Sequence, residues 1–547
     1  MKVGTPLIFI VVFLILCVAS SWAEEPGPET LRIAIENLAY RFDPHVASSD
    51  EAQIISALGE GVVGRDPVTL EPAPGVANSW ERSEDGRHYT FFLRTEALFD
   101  NGEPVLAADI RESWLRLLAP ATGSQYGYLL DRVSGAREFR TGRNGEDDVG
   151  IFVRAPRILD VELIDPDPMF LSILAHFSLV PLHRSRRTPP SDGDSILPLI
   201  GNGPYRLEST NEPLSLIRND SYWDSGSVQI ARVEAYRELS PEETSIRFNS
   251  GKLDWAIDEF SVERLSDIES IRLNEIYATT YFYFGANRWP DYRLRVALVA
   301  AIPFDELRPQ SRFMRPTSVL VPASPLYPSV TGIEEVGLSE TDALLREAGL
   351  IGGARPVRAI TVWTNETREN RRIADVLQSA WGSRLGISVE VDSSEGFGGP
   401  ADTTDGEVTV GLETARGSYF DPGVFLERWR SDTPRNPSGF ADERFDRLLD
   451  TASALSGSAR MQAFADAEQL LLDSATVVPI SHLATVHLID TERIGGWHEN
   501  PLDIHPFKHL RRLTASPAPG IALLREFLAS EHNAQRMRER VPETATR

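Results

Sequence analysis

The chain has 547 residues, 41% of them hydrophobic, and a formal net charge of −25. A chain this long exceeds what one apolar core organises, so two or three domains are expected. An acidic surface of this strength sets nucleic acid and anionic lipid aside as partners, because both would be repelled.

In chain order the first element is an export signal. Lys2 precedes an apolar run from Leu7 to Val18, and small residues Ser21 and Ala23 close it. This predicts a secretory signal peptide over residues 1–23, cut after Ala23. The apolar run is shorter than the roughly 20 residues a membrane span needs. The only cysteine, Cys17, lies inside this leader, so the mature chain has no disulfide and no thiolate chemistry. Leu16 puts a bulky residue where a lipoprotein signal carries a small one, which argues against a lipid anchor at Cys17. The expected location is the periplasm.

Leu31 to Ile35 alternates and reads as a strand, and Ala52 to Leu58 as a helix stopped by Gly59. Trp80 to Arg94 reads as two strands around an Asp85-Gly86 turn. Ala108 to Leu118 carries Ile110, Trp114, Leu117 and Leu118 at helical spacing, with Asp109 in its first turn. Arg140 to Gly150 and Ser185 to Asp194 read as loops. Tyr205–Leu207, Leu214–Ile217 and the aromatic Thr280–Phe284 read as strands. Arg293–Ile302 is predicted as a helix stopped by Pro303. Leu338–Gly349 is another, with Ser339 as N-cap. Val357–Trp363, Asn370–Leu385 and Ile387–Val391 form a strand–helix–strand unit, which implies parallel pairing. Asp442–Leu455 and Ala459–Leu472 read as paired helices, and Pro517–Val541 as an appended charged helix.

Enzyme signatures are weak. There is no Gly-x-Ser-x-Gly elbow and no His-Glu-x-x-His helix. Gly59-Glu60-Gly61 and Gly201-Asn202-Gly203 lack the third glycine a nucleotide site requires. His498, His505 and His509 lie close in sequence, but Pro506 between the last two opposes helical metal spacing. The expectation is no catalytic residue, no cofactor and no metal.

A series of landmarks follows one order along the chain: Phe42-Asp43-Pro44-His45, Gly59-Glu60-Gly61-Val62-Val63, Pro72-Ala73-Pro74-Gly75-Val76-Ala77-Asn78-Ser79-Trp80, and Asp100-Asn101-Gly102-Glu103-Pro104-Val105. Gly201-Asn202-Gly203-Pro204-Tyr205, Asn219-Asp220-Ser221-Tyr222-Trp223 and Ser250-Gly251-Lys252-Leu253-Asp254 continue it. Tyr419-Phe420-Asp421-Pro422 and Val478-Pro479-Ile480 close it. Together these resemble the family 5 extracellular solute-binding proteins of ABC transporters, the oligopeptide- and dipeptide-binding group, from about residue 31 to 514.

The resemblance implies an α/β, two-lobed type II periplasmic binding protein fold with mixed sheets, a hinge between the lobes and an inserted subdomain. Residues 24–62, 185–280 and 490–514 would form lobe I, 63–184 the inserted subdomain, 281–489 lobe II and 515–547 a charged tail. The hinge crossings would lie near 281 and 489. It implies a monomeric capture protein for a peptide or other small solute, working with the permease and ATPase subunits of an importer. A sensor or chaperone-like protein that has left transport is the alternative.

Members of this family meet a peptide amine with an Asp at the position of Ser418, and carry an Arg and a Gly-Trp where this chain has Leu412 and Thr414-Ala415. A Tyr-rich segment is replaced by Ser481-His482-Leu483. These departures put peptide recognition in doubt and leave the fold untouched. The candidate ligand-binding residues are Glu413, Arg416, Ser418, Tyr419 and His482 on one wall. Ser48, Ser49, Tyr126 and Tyr128 are the candidates on the other, with core packing as the competing role for each tyrosine.

Overall fold

The computed structural model describes residues 29–35, 42–48, 51–186, 200–285, 291–309, 314–353, 356–393 and 407–513. The expected leader with Cys17, the tail helix and Ser49 lie outside these residues. Among the described residues no helix is long and apolar enough to cross a membrane.

The chain opens on β1 (Thr30–Ala34), whose alternate residues Leu31 and Ile33 are fully buried. The helix Ala52–Leu58 follows and ends at Gly59. β2 (Val63–Arg65) and β3 (Pro72–Pro74) form a short pair. The expected hairpin is present as β4 (Ala77–Arg82) and β5 (His88–Leu93), with Gly86 at φ +72 in its turn. β6 (Ile151–Ala155) and β7 (Ile158–Glu162) complete a four-stranded antiparallel sheet in the order β4-β5-β7-β6. The helix Ala107–Leu118 buries Ile110, Trp114, Leu117 and Leu118 in the same core. Its first turn is tied down by Asp109, whose carboxylate accepts the Leu106 N–H at 2.9 Å.

A second, eleven-stranded mixed sheet takes in β1 and the remaining long-range strands. These are β8 (Tyr205–Ser209), β9 (Leu214–Arg218), β10 (Arg232–Tyr236), β11 (Trp255–Ile257) and β12 (Ile271–Phe284). They continue with β13 (Met314–Pro316), β14 (Ala359–Trp363), β15 (Ser388–Asp392), β16 (Glu407–Arg416) and β17 (Val477–Ile489). The order is β15-β14-β16-β12-β17-β11-β1-β10-β9-β8, with β13 beside β17. β14 and β15 are parallel, as the strand–helix–strand unit predicts, and the helix Arg368–Gln378 connects them.

β12 and β17 carry the sheet from one half of the molecule to the other. Their outer ends pair Ile271 with Leu488, next to the β11 pair Trp255–Ile489. Their inner ends pair Tyr283 with Val477, next to β16. The pairing register shifts between Glu275 and Thr279. β12 begins nine residues before the expected aromatic strand, because Ile271–Glu275 is paired along β17 although its polar residues hide the alternation. β17 is a strand despite Pro479. A second register shift, between Thr280 and Tyr281, places Ile480 in a bulge beside that proline.

Alternation along β12 divides the core of this half. Phe282 and Phe284 pack with Trp381 on one face, and Tyr281 and Tyr283 with Trp429 on the other. Full burial of each such ring contributes on the order of 2–3 kcal/mol. The paired helices Glu443–Ala454 and Gly457–Asp473 cover the tyrosine face. Buried apolar residues 62–179 form a separate core around the four-stranded sheet, and residues 31–58, 182–255 and 489–510 another. The helix Leu338–Glu347 starts after Gly337, one residue before the expected Ser339 cap, and Ser339 makes no cap bond.

Candidate functional site

β16 ends at Arg416, and the loop that follows carries Ser418 and Tyr419. Gly417 N–H donates to Tyr277 O at 2.8 Å, which fixes how the loop leaves the strand. Below it, Arg460 Nη2 lies 2.9 Å from both oxygens of Asp421, and Asp421 in turn accepts the Gly423 N–H at 2.9 Å. Burial pushes the Asp421 carboxyl up, and Arg460 opposes that shift. Arg460 Nη1 also donates to Ala452 O at 2.7 Å, so the loop is anchored to both paired helices.

Facing this loop is the segment 125–140 from the body of the four-stranded sheet. Tyr126, just before the 3₁₀ turn Gly127–Leu130, and Tyr128 within it have different partners. Tyr126 is core. Its hydroxyl donates to Ala47 O at 2.9 Å, and its ring lies 5.0 Å from that of His176 and 5.2 Å from Phe177. Tyr128 faces the loop, with its hydroxyl oxygen 2.9 Å from Ser418 Oγ. Arg435 lies over the Tyr128 ring, its guanidinium carbon 3.6 Å from the centroid.

Ion pairs flank this contact. Arg132 Nη2 reaches Glu427 Oε1 at 3.0 Å and Ser453 Oγ at 3.2 Å, and Arg137 Nη1 reaches Asp432 Oδ2 at 3.1 Å. Tyr419 packs against the core of the four-stranded sheet. Burial first, then the charges of Asp421 and Asp167, push its hydroxyl pKa well up.

The remaining predicted residues stand elsewhere. Glu413 is held by Arg428 at 2.5 Å and by the Tyr281 hydroxyl at 2.5 Å, so its charge is spent inside its own half. Arg416 is exposed at the end of β16, and its charge reaches Asp258 in the other half. His482 lies within β17, its two ring nitrogens each 3.0 Å from a threonine hydroxyl, Thr279 and Thr317. Burial brings its pKa down to about 4. Ser48 N–H donates to Glu51 Oε2 at 2.9 Å and is partly exposed. The structure thus brings together Tyr128, Ser418 and Tyr419. It adds Arg132, Glu427, Asp167 and Arg435, which carry no local sequence signal because their partners lie in distant segments.

The histidines near the end of the chain form a different group from the one the sequence suggests. His487, Asp503 and His505 place their ligand atoms within 4.8 Å of one another. Trp255 Nε1–H donates to His487 Nδ1 at 3.1 Å, so the neutral ring carries its proton on Nε2 and gives it to Asp503 at 2.9 Å. A metal on that Nε2 would need a fully deprotonated imidazole. His505 Nε2 at 3.1 Å and Asn274 Nδ2 at 2.7 Å bond to the same Asp503 oxygen. Burial alone would raise the Asp503 pKa. The His487 and His505 hydrogen bonds reverse that and hold the carboxyl far below its usual range. The arrangement is a fastening between β12, β17 and the segment at 497–505.

The profile of the bacterial extracellular solute-binding proteins, family 5 Middle, matches residues 71–437. The dipeptide-binding protein DppE of Bacillus subtilis is 26% identical, over 88% of this chain and 91% of its own. The periplasmic oligopeptide-binding protein OppA of Salmonella typhimurium is 27% identical, over 84% of this chain and 88% of its own. Among solved structures, the Escherichia coli murein tripeptide binding protein MppA superposes with a TM-score of 0.74 at 26% identity, covering 90% of this chain and 99% of that one. An unliganded open form of MppA gives a TM-score of 0.64, covering 90% and 98%.

Proposed function

The chain belongs to the family 5 bacterial extracellular solute-binding proteins, and from that premise we propose that it is the substrate-binding component of an ABC importer. It captures a peptide or other small solute between two lobes and hands it to a membrane permease, with an ATPase subunit supplying the energy. The fold is the two-lobed α/β fold of this family.

One observation carries the reading. Among the described residues the two halves of the large sheet share only β12 and β17 as continuous strands, and away from these strands the facing bodies meet through side chains such as Tyr128–Ser418 and Arg132–Glu427. Such a contact opens without dismantling either core. The better match to one MppA structure than to its unliganded open form supports reading the present arrangement as the closed one. On this reading β12 flexes at the register shift after Glu275. On this reading lobe I comprises the strands from β1 to β11, with the four-stranded sheet inserted in it, and lobe II the residues around β13 to β16. The ligand faces Ser418, Tyr419 and Tyr128. Export through the leader at 1–23 delivers a monomer to the periplasm, and the protein does no chemistry on its guest.

The test is to purify the exported protein and identify by native mass spectrometry what accompanies it. A stoichiometric small solute, lost on partial unfolding and regained on addition, is expected. Turnover of that solute into a product would contradict the reading. The Tyr128–Ser418 bond favours one second reading, a sensor that has left peptide transport, because it occupies the position at which the resemblance implies amine capture. Signalling activity without uptake in a permease-deleted strain would favour it.

A further inference from the structure

We propose that Tyr128, Ser418 and Arg435 form a subsite for an anionic oxygen group, so that the captured solute presents a carboxylate-like end to this wall. The inference rests on the solute-binding reading and specifies the chemistry of its ligand.

The two hydroxyls lie 2.9 Å apart and share one hydrogen bond. Whichever donates, the other O–H is left to donate to a third group. Arg435 stands 3.6 Å over the same ring, and among the described residues no ion pair joins its guanidinium. All three side chains keep partial exposure. The loop that presents Arg435 is tied by its own hydrogen bonds. Asn436 Nδ2 donates to Trp429 O at 3.1 Å, Arg430 O at 3.2 Å and Phe440 O at 2.8 Å, and Pro434 and Pro437 flank the pair. One free O–H and one planar fork of N–H donors, with no fixed anion between them, suit a carboxylate.

The surrounding charges decide the sign. Glu413 is matched by Arg428, Glu427 by Arg132 and Arg430, Asp421 by Arg460 and Asp432 by Arg137. Asp167 has no ion pair of its own among the described residues; burial raises its pKa, and the charges of Arg132 and Arg460 oppose that shift. Arg416, two residues from Ser418, is exposed and its charge also acts on Asp258. A hydroxyl oxygen could accept a bond from an ammonium, but an ammonium here would meet the guanidinium of Arg435 over the Tyr128 ring.

The experiment compares three probes by calorimetry on the full exported chain: acetyl-trialanine, trialanine amide and acetyl-trialanine amide, which are anionic, cationic and neutral. The anionic probe is expected to bind on the order of tenfold more tightly than the cationic one. That preference should shrink in Arg435→Gln and in high salt, with the affinity for the neutral probe falling less than that for the anionic one. Equal or tighter binding of trialanine amide would overturn the proposal. If none of the three binds, the net charge of the co-purifying solute decides: an anion lost in Arg435→Gln supports the subsite, and a cation overturns it. A protein that neither binds a probe nor carries a solute contradicts the solute-binding reading itself.

Discussion

Asp421 and Arg460 hold opposite charges 2.9 Å apart beneath the loop that carries Ser418 and Tyr419, and both are nearly inaccessible to water. Removing one partner strands the other without solvent. Asp421→Asn should therefore lower stability by about 3–5 kcal/mol in urea denaturation. Adding Arg460→Gln should recover part of that loss. His482 gives a pH-dependent prediction. Its folded pKa of about 4 lies below the ordinary histidine value of 6.5, so folding favours the neutral ring. The stability is complete above pH 6.5 and falls as the pH drops toward 4, by at most about 3 kcal/mol. His482→Gln, which removes the titrating ring, should flatten the loss measured between pH 7.5 and 5. His45, His176 and His509 shift in the same direction, so the wild-type slope exceeds what one histidine supplies. The sequence displayed Ser418 and Tyr419 through a local motif. It could not display Arg435 or Arg132, because a guanidinium in a polar loop looks alike whether it faces solvent or a tyrosine from 300 residues away.

β12 and β16 approach closely where Tyr283 pairs with Gly411. A Cβ on that glycine would fall 2.3 Å from the tyrosine ring, so the aromatic side chain fills the space that the glycine leaves. Gly411→Val should push the strands apart and destabilise the protein by about 1–3 kcal/mol, read as a lowered melting temperature. Periodic elements were readable: the Asp85-Gly86 hairpin, the parallel pair β14 and β15, and the paired helices each carry an uninterrupted pattern. β17 was not, because Pro479 and the polar Ser481-His482 break its pattern. The bulge at Ile480 accommodates the proline, and that accommodation exists only once β12 and β13 lie beside it.

For the molecule as a whole, the contacts of residues 128–137 with 418–453 join bodies whose apolar cores are otherwise separate. Arg132 and Arg137 are partly solvated, so each pair contributes about 0.5–1 kcal/mol to the closed arrangement. The double substitution Arg132→Ala, Arg137→Ala should weaken solute binding roughly five- to tenfold by calorimetry, chiefly through faster release, with little change in the melting of the solute-free protein. Family membership could be read from landmarks spread along the chain, whereas the meeting of the two walls depends on a rotation that no local residue pattern records. The most direct measurement is small-angle X-ray scattering on the protein stripped of its co-purified solute and again after that solute is restored. A smaller radius of gyration on restoration is predicted. An identical scattering curve in both states, with the solute demonstrably bound, would contradict the account.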